Sequence, residues 1–143
     1  MKAFDRLLEE DIAAYEGRHD DLIYQAPAFY RLLVKLLDDP RLPGRLRPLV
    51  LAAVAYFILP TDIVPEGIHG PYGYVDDIWM AAFAAQRVRR ETTGDDILVC
   101  NWDGEGAVGP LVEDILDREA ELIGNQRERI LRYVGYEHLL VEK

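Results

Sequence analysis

Tyr56-Phe57-Ile58-Leu59-Pro60-Thr61-Asp62-Ile63-Val64-Pro65-Glu66, followed after a short gap by Gly73-Tyr74-Val75-Asp76-Asp77-Ile78, decides how the chain is read. Upstream, Leu49 to Leu59 is a run of apolar residues with Pro48 just before it. Proline fits the first turn of a helix, where its missing N–H would have no partner anyway. The run is apolar on every side, which predicts a buried core helix over Leu49–Ile58 and the most buried element of the fold. A membrane span needs about 20 apolar residues, and this run stops at Pro60 well before that. Downstream, Ile78, Trp79, Ala82 and Phe83 fall on one helical stripe of a segment running from about Tyr74 to Arg90. The central feature is therefore a helical hairpin joined by a loop rich in Pro, Gly and Asp.

The acids of the loop have definite local chemistry. Val64 precedes a proline and is biased towards extended geometry, so Asp62 is better suited to an Asx-turn than to capping a helix. Asp76 and Asp77 occupy the first turn of the downstream helix, where free N–H groups favour carboxylates. Neighbouring helical residues point about 100° apart, and Asp76 shares a face with Trp79 and Phe83, so Asp76 is the inward one. The first reading is a clamp in which carboxylates tie down backbone amides. The second is a hard-cation site for Mg²⁺ or Ca²⁺ built from Asp62, Asp76, Asp77 and Glu66, because these ions take carboxylate and carbonyl oxygens. A catalytic site needs an activated nucleophile or base with an orienting partner, and no such set is visible. His69, in the same loop, reads as exposed. No cofactor is expected beyond that possible divalent cation.

The spacing Tyr, three residues, Pro-x-Asp-x-Ile/Val-Pro-Asp/Glu, a short loop and then Gly-Tyr-x-Asp-Asp resembles the YkvA-like family, a domain of unknown function (DUF1232). The resemblance covers roughly residues 46–85. Glu66 stands where the commoner form has Asp, and the loop 67–72 is slightly longer and more polar. The resemblance implies a helical hairpin around an acidic loop and no particular activity. Some members of the family are described as membrane-associated, so the resemblance also implies peripheral membrane association as an alternative.

Outward from the hairpin, Phe4, Leu8, Ile12 and Tyr15 predict an amphipathic first helix ending near Gly17. Phe29, Leu32, Leu33, Leu36 and Leu37 predict a second, with Pro27 in its first turn and Asp38-Asp39-Pro40 ending it. Ile97-Leu98-Val99-Cys100 has no partner strand and reads as a short helix, with Cys100 buried and inert. Gly109-Pro110 opens an acidic helix that Gly124-Asn125 breaks, and a last helix carries Ile130, Leu131 and Val134. The expected fold is an all-α compact bundle of five to seven helices, one domain over 1–143 with its core at about 46–90.

Asn101-Trp102-Asp103-Gly104-Glu105-Gly106 has oxygen side chains and a glycine at EF-hand spacing. The twelfth position is Val112 instead of a bidentate glutamate, so the stretch reads as a turn.

The formal net charge of −10 opposes binding to a phosphate backbone and to anionic lipid. The local exception is Arg31, Lys35, Arg41, Arg45 and Arg47, which face only Asp38 and Asp39 nearby in sequence. One cysteine cannot form an internal disulfide, and Met1-Lys2-Ala3-Phe4-Asp5 opens no apolar stretch. These features predict a cytoplasmic protein that binds no nucleic acid, does not enter the membrane, and functions through a protein partner or self-association. Its function is then that of a non-catalytic interaction or scaffold module, the alternatives being a carboxylate-based metal-binding protein or metal-dependent enzyme at Asp62/Asp76, and peripheral membrane association.

Overall fold

A computed structural model describes residues 4–13, 20–58, 74–92, 96–133 and 135. Among them lie nine α-helices and one 3-10 turn: α1 (Phe4–Ile12), α2 (Asp20–Ile23), α3 (Ala26–Asp38), α4 (Arg47–Ile58), α5 (Tyr74–Glu91), α6 (Asp96–Asn101), α7 (Val108–Asp117), α8 (Glu119–Ile123) and α9 (Arg127–Tyr133). The protein is all-α, as its periodicity predicts. The number of helices exceeds five to seven because α2 is too short for a hydrophobic period to register and the helix expected from Gly109 to Gly124 is divided into α7 and α8.

The helix limits follow local chemistry. Pro27 lies in the first turn of α3, and Asp39, next to Pro40, leaves the helix with extended backbone (φ −83°, ψ 122°). Pro48 lies in the first turn of α4. The segment from Val108 to Ile123 is two helices, because Arg118 departs from helical geometry at φ −95° and ψ 19°. Gly124 then ends α8 with φ +62°, a left-handed conformation that glycine adopts without steric cost.

The core centres on α5, which packs against α2, α3, α4, α6, α7 and α8. Every residue from Val75 to Ala85 is buried. Ala81, Ala82, Ala84 and Ala85 let neighbouring helices approach on all sides, while Trp79 and Met80 fill the wider gaps. The hairpin is therefore present, but its most buried arm is α5, contrary to the expectation for Leu49–Ile58. Leu49, Val50, Ala53, Val54, Tyr56 and Phe57 of α4 face inward, while Leu51 is 57% exposed and Ile58 50%. Among the described residues no helix is long and apolar enough to cross a membrane.

Candidate functional site

The last turn of α4 and the first turn of α5 are joined by a buried polar contact. Tyr56 Oη donates to Asp76 Oδ2 at 2.7 Å, with both residues completely buried. Tyr56 is on the inner face of α4 beside Val50, Ala53 and Phe57, which brings its hydroxyl to the entrance of α5. Asp77 is buried beside Asp76, although it points to another side of the helix. Both acids are enclosed because α5 is surrounded, so the 100° between neighbours does not release one of them to solvent. Asp62, Glu66 and His69 lie outside the described residues. Among the described residues no group of three or more His, Cys, Asp or Glu side chains is gathered to hold a metal ion.

Further along α5, Trp79 and Phe83 stack with ring centroids 5.3 Å apart and an interplanar angle of 24°. The Arg127 guanidinium of α9 lies 5.9 Å from the Trp79 centroid and 5.6 Å from that of Phe83, a cation–π contact that fastens α9 to the central helix.

The basic stretch is not an open patch. Arg31 Nε donates to Asp103 Oδ2 at 2.9 Å and its Nη1 to Glu9 at 3.1 Å, while Lys35 Nζ reaches the same Asp103 oxygen at 3.0 Å. Arg41 pairs with Asp39 at 2.7 Å, Arg45 with Glu91 at 2.7 Å, and Arg47 donates to the Leu37 carbonyl. Four of these partners, Glu9, Leu37, Glu91 and Asp103, lie outside the acids adjacent in sequence, and only folding brings Glu9, Glu91 and Asp103 close.

The glycine-rich turn 101–106 supplies that closure. Trp102 packs on Phe29 of α3 with centroids 5.1 Å apart, and its Nε1 donates to the Gly106 carbonyl at 3.1 Å. A Cβ at residue 104 would overlap the Trp102 ring, which explains the glycine there. Asn101 Nδ2 donates to Asp39 at 2.9 Å, and Gln25 Nε2 to the Glu105 carbonyl at 3.2 Å. Of the side chains that mimic an EF-hand loop, Asp103 is engaged through its carboxylate by Arg31 and Lys35 of α3, whereas Asn101 bonds through its amide nitrogen and residue 105 through its backbone carbonyl. Glu9, Tyr24, Gln25, Arg31, Asp103 and Glu105 line an open groove of about 340 Å³ beside this turn. Cys100 is exposed, contrary to the expectation of a buried thiol, because α6 is a single short helix that turns only Ile97 and Leu98 inward.

The Arg41 side chain holds the Asp39 carboxyl well below the usual carboxylate range, with help from Asn101. Arg31, and then Lys35, lower that of Asp103. A carboxyl with a depressed folded pKa stabilises the fold fully above its unfolded value of about 4 and loses that contribution as pH falls through the lower folded value. The urea midpoint is therefore expected to drop as pH is taken below about 4, and to drop less steeply in Asp39→Asn and Asp103→Asn. Equal acid slopes in the wild type and both variants would contradict the pairing.

The profile of a family described as a protein of unknown function, DUF1232, matches residues 47–83, which is α4, the joining segment and the larger part of α5. A relative from Methanothermobacter thermautotrophicus, "Uncharacterized protein ORF9", is 32% identical over 130 residues, covering 91% of this chain and 88% of its own length. The chain belongs to the DUF1232 family. Its likeness to the archaeal relative extends beyond the hairpin into both flanks, which the residue pattern alone does not reveal. No solved structure gives a significant match.

Proposed function

We propose that this DUF1232 protein is a non-catalytic interaction module of the cytoplasm, in which the α4–α5 hairpin is a rigid support and the outer face of α4 is the surface that meets a partner. The observation that carries this reading is the exposed stripe Leu51, Ala55 and Ile58 on a helix with no charged residue after Arg47. A helix that only had to pack on the core would place polar residues there. The Tyr56–Asp76 bond supports the role of α5 as scaffold, since a hydroxyl donating to a carboxyl across two helices fixes their relative position. The net charge of −10, with the cations of the basic stretch engaged internally, supports a partner other than nucleic acid.

If this face is free, Leu51→Ser and Ile58→Ser together change stability by less than about 1 kcal/mol in a urea melt. A loss above about 3 kcal/mol, the scale of a truncated core leucine, would show that the chain itself covers the face and would remove the reading. A second reading, divalent-cation binding at Asp76 and Asp77 with Asp62 and Glu66, is favoured by the burial of two neighbouring carboxyl groups at the start of α5.

A further inference from the structure

The turn between α6 and α7 runs along α3 like a strap. At the carboxyl end of α3, Asn101 Nδ2 donates to Asp39 at 2.9 Å. In the middle, the Asp103 carboxylate accepts from Arg31 at 2.9 Å and from Lys35 at 3.0 Å. At the amino end, the Glu105 carbonyl accepts from Gln25 at 3.2 Å. Between these anchors Trp102 closes over Phe29, which is completely buried. Asp103, Gly104 and Glu105 of the same turn form one wall of the open groove, whose other walls come from α1 and from residues 24–31. We propose that the strap is an electrostatic clasp: screening its ion pairs with α3 releases residues 101–106 while the helical core stays folded, and the groove then loses a wall. The clasp is distinct from the outer face of α4 and does not depend on what meets that face.

Charge and exposure place the weak link at Asp103. The Lys35 and Asp103 side chains are 45% and 38% exposed, and ion pairs open to solvent contribute little singly and are weakened by salt. The screening length falls from about 30 Å at about 0.01 M salt to about 3 Å at about 1 M, close to the contact distances themselves. The core has no such sensitivity, because α5 is enclosed by apolar burial, which salt does not screen. Arg31 also separates acids from one another. Its guanidinium bonds both Glu9 of α1 and Asp103 of the strap, and Glu105 lines the same groove. Without that cation the groove is edged by Glu9, Asp103 and Glu105 in a chain of net charge −10. Arg31 and Lys35 therefore hold the strap against the repulsion of its own surroundings.

The two tryptophans of the chain report on clasp and core separately. Exchange of their indole N–H protons with solvent is measured by NMR on the full chain at neutral pH, in about 0.01 M and about 1 M sodium chloride. The Trp102 N–H, bonded to the Gly106 carbonyl, is expected to exchange at least about threefold faster in high salt. The Trp79 N–H, buried on α5, is expected to keep its rate. Asp103→Asn, and the double variant Arg31→Gln with Lys35→Gln, should exchange fast at Trp102 already in low salt and gain nothing from salt. Glu128→Gln, which removes an exposed pair with Arg132 on α9, should behave like the wild type. Far-UV spectra establish that each variant is folded; if the double variant is not, Asp103→Asn, which alters the strap alone, decides the matter by itself. A Trp102 rate that ignores salt overturns the proposal, as does equal acceleration of both indoles, which would mean that the whole fold loosens. So does a salt response kept by the Asp103→Asn protein, which would show that the packing of Trp102 on Phe29, and not charge, holds the strap.

Discussion

Trp79→Ala is expected to be the most destabilising single truncation in the protein, costing about 3–5 kcal/mol. Trp79 is among the largest fully buried side chains and sits on the helix around which the others are arranged. Its removal leaves a cavity bordered by Phe83 and takes away part of the platform beneath Arg127. With total stability of about 5–15 kcal/mol for a domain, such a loss leaves little margin. Its effect is local as well as global: hydrogen exchange in α9 should accelerate first, because Arg127 loses a ring. Trp79→Phe is expected to be much milder. The buried indole Nε1 has no hydrogen-bond partner among the described residues, so phenylalanine keeps the stack and gives up only volume. A Trp79→Phe variant as unstable as Trp79→Ala would show that the indole N–H has a role this packing does not explain. Urea denaturation followed by circular dichroism distinguishes the outcomes.

Asp76→Ala should cost about 2–4 kcal/mol and Tyr56→Phe about 1–3 kcal/mol, the range for leaving a buried polar group without its hydrogen-bond partner. The two are expected to be non-additive. Once the carboxyl is gone the phenol loses this buried acceptor, so removing the hydroxyl as well relieves part of the cost. A double-mutant cycle should return a coupling of about 1–2 kcal/mol. Additive losses would mean that the 2.7 Å contact contributes nothing to joining α4 to α5. The pair closes a hairpin whose arms are separated in sequence by the segment from Leu59 to Gly73, so its loss should also speed exchange at the amino-terminal turn of α5.

The fold class and most helix limits were legible because prolines and apolar periods are local signals. Pro27 and Pro48 mark first turns, Pro40 ends α3, and the Tyr56 to Ile78 motif locates the hairpin. The depth of α5 was not legible. Its polar residues are concentrated at its two ends, Asp76 and Asp77 at one and Arg87, Arg89, Arg90 and Glu91 at the other, which lowers its overall hydrophobicity without marking an outward face. The reverse held for α4, where Leu51, Ala55 and Ile58 look like core by composition, and only the placement of the other helices leaves them outside. Cys100 was misjudged for a related reason: it follows an apolar run, but a helix of six residues buries only one side of that run. The basic stretch could not be judged from neighbours in sequence, since Asp103 lies 72 residues from Arg31 and Glu91 lies 46 from Arg45. At the candidate site, Asp76 was identifiable as inward from its spacing with Trp79, whereas Tyr56 was visible only as a motif residue and its role as donor required the three-dimensional contact.

The central claim is that the buried acids at the start of α5 serve the architecture and that function lies on the surface. Melting the chelator-treated wild type in EDTA and again with millimolar Mg²⁺ or Ca²⁺ tests it most directly. The account predicts the same midpoint in all three conditions, with Asp76→Ala destabilised to the same extent in each. A cation site filled at 100 times its dissociation constant would add about 2.7 kcal/mol. An ion-dependent rise of that size, abolished by Asp76→Ala while the variant melts like the wild type in EDTA, would contradict the account and make the acids a metal centre.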